Sequence, residues 1–266
     1  MSAAVLLRAD TQASSGCLLR VDGATSGLRS TGLAFYRLEV GERLAWSSAE
    51  HEACVVLFSG RADVQAGDSA WADVGARQQL FDGGKPHALY LSLNTSLSLV
   101  ARTPLELAIC TAPGRLQRPP RLITPAQVTL DERGEGVCRR RVHKILWEQD
   151  EADSLLITEV FTPAGHWSSY PPHKHDRDAP PEESSLEEIY FFKIDPPQGF
   201  ALQRVYSDEG EDQCFSPGNN DAVTVPRGYH PVAAPPDYQV YYLNVMAGTS
   251  RQWHIYYDPR TPAKPA

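Results

Sequence analysis

The segment Pro171-Pro172-His173-Lys174-His175-Asp176 carries two imidazoles two residues apart. On an extended strand such residues share a face, so His173 and His175 would project together and Lys174 away from them. Imidazole is a good ligand for zinc, iron, manganese or nickel. A His-x-His pair alone is equally compatible with two surface histidines beside a proline turn, and two neighbouring features favour the ligand reading. The first is Glu187-Glu188-Ile189-Tyr190-Phe191-Phe192-Lys193, which reads as a strand that opens with carboxylates. Alternation places Glu188, Tyr190 and Phe192 on one face and Glu187, Ile189, Phe191 and Lys193 on the other. An interior that holds a metal wants one carboxylate followed by bulky apolar side chains. Lys193 fits better outside, so Glu188 is preferred to Glu187. The second feature is Val225-Pro226-Arg227-Gly228-Tyr229-His230-Pro231, where a Pro-x-Gly turn can aim His230 inward. Three nitrogens and one carboxylate would leave positions open on one divalent metal ion; zinc, manganese, iron and nickel are not distinguished.

The elements that must position these residues are strands. Runs rich in β-branched, aromatic or alternating residues cover 32–40, 53–58, 88–93, 96–101 and 105–111 in the first half. In the second half they cover 144–147, 155–161, 189–194, 200–206, 222–225 and 239–245. Helical periodicity is scarce; residues 125–132 could hold a short turn or helix. Many short strands separated by 21 prolines and 19 glycines predict an all-β chain of sandwiches, jelly rolls or barrels. The proline-rich, basic stretch Pro113-Gly114-Arg115-Leu116-Gln117-Arg118-Pro119-Pro120 reads as a connection between two units, 1–120 and 121–266. The acidic stretch 176–188 reads as a loop between strands, with most of its carboxylates solvated.

Composition narrows the functional classes. With 266 residues, 42% hydrophobic and 22% charged, the chain has the balance of an ordinary soluble globular protein. Its net charge of −8 and the lack of basic runs beyond Arg139-Arg140-Arg141 argue against a nucleic-acid partner. Arg8 and Asp10 interrupt the only apolar stretch near the start, which argues against a secretory signal or membrane span. Five scattered cysteines without motif spacing suit free thiols in the cytoplasm. The first half has only His51 and His87 and no His-x-His pair, so one metal site is expected, in the second half.

The order His-x-His, Glu, Pro-x-Gly, His is that of the cupin superfamily, with motifs G-x5-H-x-H-x(3,4)-E-x6-G and G-x5-P-x-G-x2-H-x3-N. Here the first motif becomes Gly165, His173, His175, Glu188 and Gly199, with a long insert before the Glu. The second becomes Gly218, Pro226, Gly228 and His230, one residue short before the His and lacking the final Asn.

Over residues 170–248 the chain closely resembles the 5-deoxy-glucuronate isomerase family. The resemblance is carried by Tyr-Pro-Pro-His-Lys-His-Asp at 170–176, Pro-Glu-Glu-Ser at 181–184 and Leu-Glu-Glu-Ile-Tyr at 186–190. It continues through Pro-Pro-Gln-Gly-Phe at 196–200, Gln-Arg-Val-Tyr at 203–206, Val-Pro-Arg-Gly-Tyr-His-Pro at 225–231 and Tyr-Tyr-Leu-Asn-Val-Met-Ala-Gly at 241–248. Weaker matches lie at 83–87 and around 139–146.

This resemblance implies a bicupin, two jelly-roll β-barrel domains in one chain, with His173, His175, Glu188 and His230 on a metal in the second. It also implies aldose–ketose isomerisation of 5-deoxy-glucuronate to 5-dehydro-2-deoxy-gluconate in inositol breakdown. For such a substrate, Lys174, Arg204 and Arg227 are candidate partners of the carboxylate and Gln203 of a hydroxyl. Tyr242 is a further candidate beside the sugar, and metal-bound hydroxide, Tyr190, Tyr242 and His166 are open choices for the base. The expected partner is therefore a small sugar acid rather than a nucleic acid or membrane, and a homo-oligomer is compatible with the sequence. A cupin dioxygenase and a non-catalytic sugar-binding cupin are the competing expectations; oxygen consumption separates the first from an isomerase.

Overall fold

The computed structural model describes residues 3–262. Strands carry nearly all regular structure. The helical pieces among the described residues are the four-residue helix Gly23–Ser26 and the 3-10 turns Leu80–Asp82 and Gly136–Cys138. None is long and apolar enough to cross a membrane.

In the first half, six strands form one sheet in the order Arg121–Ile123, Ala88–Leu91, His51–Ser59, Leu105–Pro113, Gly32–Leu38, Gly16–Val21. Four more, Arg43–Trp46, Leu97–Ala101, Ala62–Ala66 and Ser69–Val74, form the sheet that faces it. The strand His51–Ser59 shows the logic. Ala53, Val55 and Leu57 point into the core between these two sheets. Cys54, Val56 and Phe58 point the other way and are equally buried. A strand buried on both faces reads as a continuous apolar run, which is how it stands out in the sequence.

The second half repeats the plan. Its large sheet runs Ala222–Val225, Glu183–Asp195, Gln239–Gly248, Leu156–Thr162, Arg140–Leu146, Thr129–Arg133. Leu6–Leu7, from the start of the chain, adds to its edge beside Ala222–Val225. The small facing sheet contains Trp167–Ser168, Val232–Ala233, Leu202–Tyr206 and Asp212–Phe215. Val160, Phe192, Val205, Val223 and Val232 fill one end of the space between them.

The two large sheets pack back to back. Phe35, Phe58 and Phe191 meet there, with ring centroids 4.8 Å apart for Phe35–Phe191 and 5.4 Å for Phe58–Phe191. Lys193 lies on this outer face of Glu183–Asp195, as alternation requires. It is nevertheless buried, because the outer face is covered, and its Nζ reaches Glu106 Oε2 at 2.6 Å. A second charged tie crosses the same junction: Arg77 Nη1 donates to Glu159 at 2.8 and 3.0 Å, and Tyr241 donates to the same carboxylate at 2.9 Å.

Two local expectations change. Residues 125–127 do form a turn, but Thr129–Arg133 then runs as a strand along Arg140–Leu146. The acidic stretch 176–188 is a hairpin rather than a loop, Asp176–Ala179 pairing with Glu183–Asp195. Its carboxylates are partly structural: buried Glu183 accepts from the backbone of Asp176 (2.8 Å) and Arg177 (3.1 Å) and from Arg177 Nε (2.8 Å). A polar sequence hid a turn held together by its own carboxylate.

Candidate metal centre and its cavity

His173 sits on the short strand His173–Lys174, which pairs with Tyr256–Tyr257 near the end of the chain. His175 follows it, and Glu188 lies on the inner face of Glu183–Asp195. His230 follows the Pro-x-Gly turn, where Gly228 is essential in form: its φ is +90°, and a Cβ there would stand 2.5 Å from the carbonyl oxygen of Tyr206. The structure brings all four side chains together. One ligating nitrogen of each of His173, His175 and His230 falls within 4.8 Å of the others. Glu188 Oε2 is 3.1 Å from His175 Nε2 and 3.2 Å from His230 Nε2. Its other oxygen accepts from Asn244 Nδ2.

Each imidazole is fixed from behind. The Nδ1–H of His173 donates to Pro171 O (3.3 Å), that of His175 to Leu186 O (3.0 Å) and that of His230 to Gly228 O (2.8 Å). Carbonyl partners on Nδ1 set the tautomer and leave the Nε2 lone pairs facing the centre. His230 Nε2 is buried with no hydrogen-bond partner. Donors bound about 2.1 Å from a shared ion would stand roughly 3.0–3.4 Å apart, which is the spacing of Glu188 from its two histidines. This donor set fits a divalent metal.

Electrostatics agree. Burial would raise the Glu188 carboxyl, but the adjoining imidazoles of His175 and His230 outweigh it and bring it down to about 2. Burial, assisted by the other two imidazoles, pushes His173 well below the ordinary histidine range. His175 resists burial because Glu188 is against it, and its pKa is raised. An anionic carboxylate and a neutral His173 are the ligating forms.

The cluster borders a cavity with about 440 Å³ of empty space including its open mouth; His173, Glu188, Ser169, Tyr190, Tyr242 and Asn244 line it. Ser169 holds a left-handed backbone, φ +47°, and places its hydroxyl 2.9 Å from Tyr190 OH and 3.4 Å from Tyr242 OH. A non-glycine residue there is strained, and such strain gathers at functional sites. Burial raises both phenols, that of Tyr190 strongly. Arg133, Arg140 and Trp253 also line it, and all three continue into an outer vestibule.

Of the other sequence candidates, Tyr242 lines the cavity. Gln203 is fully buried on the same strand face as Val205, and neither atom of its amide has a partner. Three cations point elsewhere. Lys174 Nζ lies 3.2 Å from both Asp176 and Asp208, Arg204 is paired with Asp212, and Arg227 with Glu211. None of the three lines the cavity. His166 Nδ1 instead lies 2.9 Å from Arg139 O. Sequence reasoning missed Arg140, Asn244 and Ser169. Alternation offered a signal for two of them: Arg140 precedes inward Val142 by two residues, and Asn244 follows Tyr242 by two.

Two jelly rolls in tandem, with a histidine–carboxylate cluster inside the second, define a bicupin. An oxalate decarboxylase from Lactobacillus farciminis has a similar architecture, at a TM-score of 0.66 and 11% identity over 95% of this chain and 88% of that one; this likeness is of fold alone. The chain belongs to the KduI/IolB family, whose model matches residues 5–262. It is 46% identical over 245 residues to the 5-deoxy-glucuronate isomerase of Geobacillus kaustophilus, covering 92% of this chain and 89% of that protein. With the enzyme of the same name from Bacillus subtilis strain 168 the identity is 39% over 252 residues, 93% of each chain. A crystal structure of an IolB-like protein from Salmonella typhimurium LT2 superimposes with a TM-score of 0.92 at 43% identity, covering 96% of this chain and 97% of that one.

Proposed function

We propose that the chain is an aldose–ketose isomerase that converts 5-deoxy-glucuronate to 5-dehydro-2-deoxy-gluconate in inositol catabolism, with one divalent metal on His173, His175, Glu188 and His230. The relatives' shared name supports the reaction. The observation that carries the site is the convergence of three carbonyl-anchored imidazoles on one buried carboxylate at a cavity wall. A bound metal would supply Lewis acidity toward the sugar's carbonyl and hydroxyl oxygens.

The protein's own groups do the rest. Asn244 holds one oxygen of Glu188, which fixes the carboxylate's rotation toward His175 and His230. Tyr190 and Tyr242 stay protonated at neutral pH because burial raises them, so each donates to a substrate oxygen and neither is the resting base. Ser169 bridges the two phenols and keeps them oriented. The isomerisation moves the C2 proton to C1 and the proton of the C2 hydroxyl to O1, and it needs no oxygen. We place the enzyme in the cytoplasm, consistent with its free thiols, acting on a small sugar acid.

The test is product formation. Metal-loaded protein incubated with 5-deoxy-glucuronate should yield the ketone, seen by NMR, with no oxygen consumed. Oxygen uptake that tracks substrate loss would move the chain to the dioxygenases. Binding of the sugar acid without any ketone would make it a non-catalytic cupin.

A further inference from the structure

The cavity wall holds a cation, Arg140, that no carboxylate of the described residues pairs with. Arg140 opens the strand Arg140–Leu146, and its side chain lies on the same face as Val142. It borders both the inner cavity, with His173, Glu188 and Tyr242, and the outer vestibule, with Tyr170 and Trp253. Its one hydrogen bond among the described residues runs from Nη1 to Cys138 O, at 3.0 Å. Among those residues no carboxylate lies within 4.0 Å of it. The other arginine of the lining, Arg133, is paired with Asp131 at 2.9 Å and stacks over Trp253. At Gly134, φ +74°, a Cβ would stand 2.2 Å from the carbonyl oxygen of Cys138, the acceptor of Arg140, and 2.6 Å from Arg140 Nη1 itself. The positive charge of Arg140 is also felt by the Tyr242 phenol.

A guanidinium with no carboxylate partner among the described residues, at the side of a partly enclosed cavity, favours an anion with planar oxygens. We propose that Arg140 receives the carboxylate of the sugar acid and so selects acid over neutral sugar, while the carbonyl end lies toward the histidine cluster. This rests on the isomerase reading for the identity of the substrate, but the anion site itself does not. Arg139 and Arg141 do not share the role. Alternation turns them out of the cavity, Arg139 to Glu132 and Arg141 onto the ring of Phe161.

The experiment is calorimetric titration of the metal-loaded protein with 5-deoxy-glucuronate and with 5-deoxy-glucose, in which CH2OH replaces the carboxylate. Turnover is followed in parallel. The native protein should bind the acid about 10- to 100-fold more tightly than the neutral sugar, as a charge-assisted pair would give. Arg140→Met should erase that preference, leave the neutral sugar's affinity and the metal content as they were, and raise KM for the acid more than it lowers kcat. Arg140→Lys should recover part of the preference, which a loss of packing would not. Equal weakening toward both sugars, an unchanged preference in Arg140→Met, or a native protein without preference would overturn the proposal. Arg140-dependent binding of the acid with no turnover would uphold this site and sink the isomerase reading instead.

Discussion

The two jelly rolls share an architecture and differ in what fills them. Inside the first, the facing sheets bury Val55, Leu57, Leu89, Leu99, Leu107 and Ile109, all nearly inaccessible and all aliphatic. Inside the second, the same kind of space holds His173, His175, Glu188, His230, Tyr190 and Asn244. Among the described residues the histidines of the first half gather no comparable set. His51 sits beside Ser48, and half-buried His87 has its pKa lowered by burial alone. An interior packed with aliphatic side chains stabilises; an interior of imidazoles and a carboxylate costs stability unless something binds there. One roll is thus a buttress, covering the outer face of the sheet that carries Glu188, and the other is the workplace.

The largest effects should fall on the second roll's cluster. His230→Ala or Glu188→Gln should lower kcat on 5-deoxy-glucuronate by on the order of 10³-fold or more, because several kcal/mol of charge stabilisation depend on the metal. Elemental analysis should show metal content falling in the same variants. If metal stayed bound at one per chain in both, the cluster would not be the ligand set.

A cavity cut into the first roll should separate stability from chemistry. Leu99→Ala should cost about 2–5 kcal/mol in denaturant unfolding while metal content and kcat per folded molecule hold. A loss of metal in that variant would erase the contrast between the rolls.

The tie between the rolls should be as costly to cut. Arg77→Met strands the buried Glu159 carboxylate and should destabilise by about 3–5 kcal/mol. Burial works to raise Glu159, yet Arg77 and His143 hold its pKa below the usual carboxylate range. The unfolded chain therefore takes up this proton first as pH falls. The stabilisation is present above the unfolded pKa, about 4.3, and is lost as pH drops through the lower folded value. Glu159→Gln should flatten that acid limb of the stability curve; an unchanged limb would mean that Glu159 is not ionised in the fold.

The smallest effect tests register. Glu187 faces away from the cluster and accepts from the backbone N–H groups of Arg29 (2.8 Å) and Ser30 (2.7 Å). Glu187→Gln should cost no more than about 1 kcal/mol and leave metal content intact. Metal loss equal to that of Glu188→Gln would mean that the strand alternates the other way.

What was legible in the sequence follows the same division. Doubly buried strands such as His51–Ser59 and Gln239–Gly248 announce themselves as apolar runs. Ala62–Ala66 does not, since its inward residues are small and its outward ones polar, and Ser69–Val74 turns only Trp71 and Val74 to the core. His173, His175, Glu188 and His230 meet because strand alternation and a Pro-x-Gly turn are local rules readable from spacing. Which cation lines the cavity was not readable from spacing, because that depends on strands far apart in the chain. Lys174, Arg204 and Arg227 each find an acidic neighbour that no local pattern reveals, whereas Arg140, inside a basic triplet, finds none among the described residues.

One metal, held in the second roll, is proposed as what the reaction requires. Titrating metal-stripped protein with a divalent ion while following conversion of 5-deoxy-glucuronate should show no turnover at zero metal, full activity at one equivalent per chain, and no recovery in His230→Ala at any concentration. Full turnover by the stripped protein, or a need for two equivalents, would rule out a single essential metal.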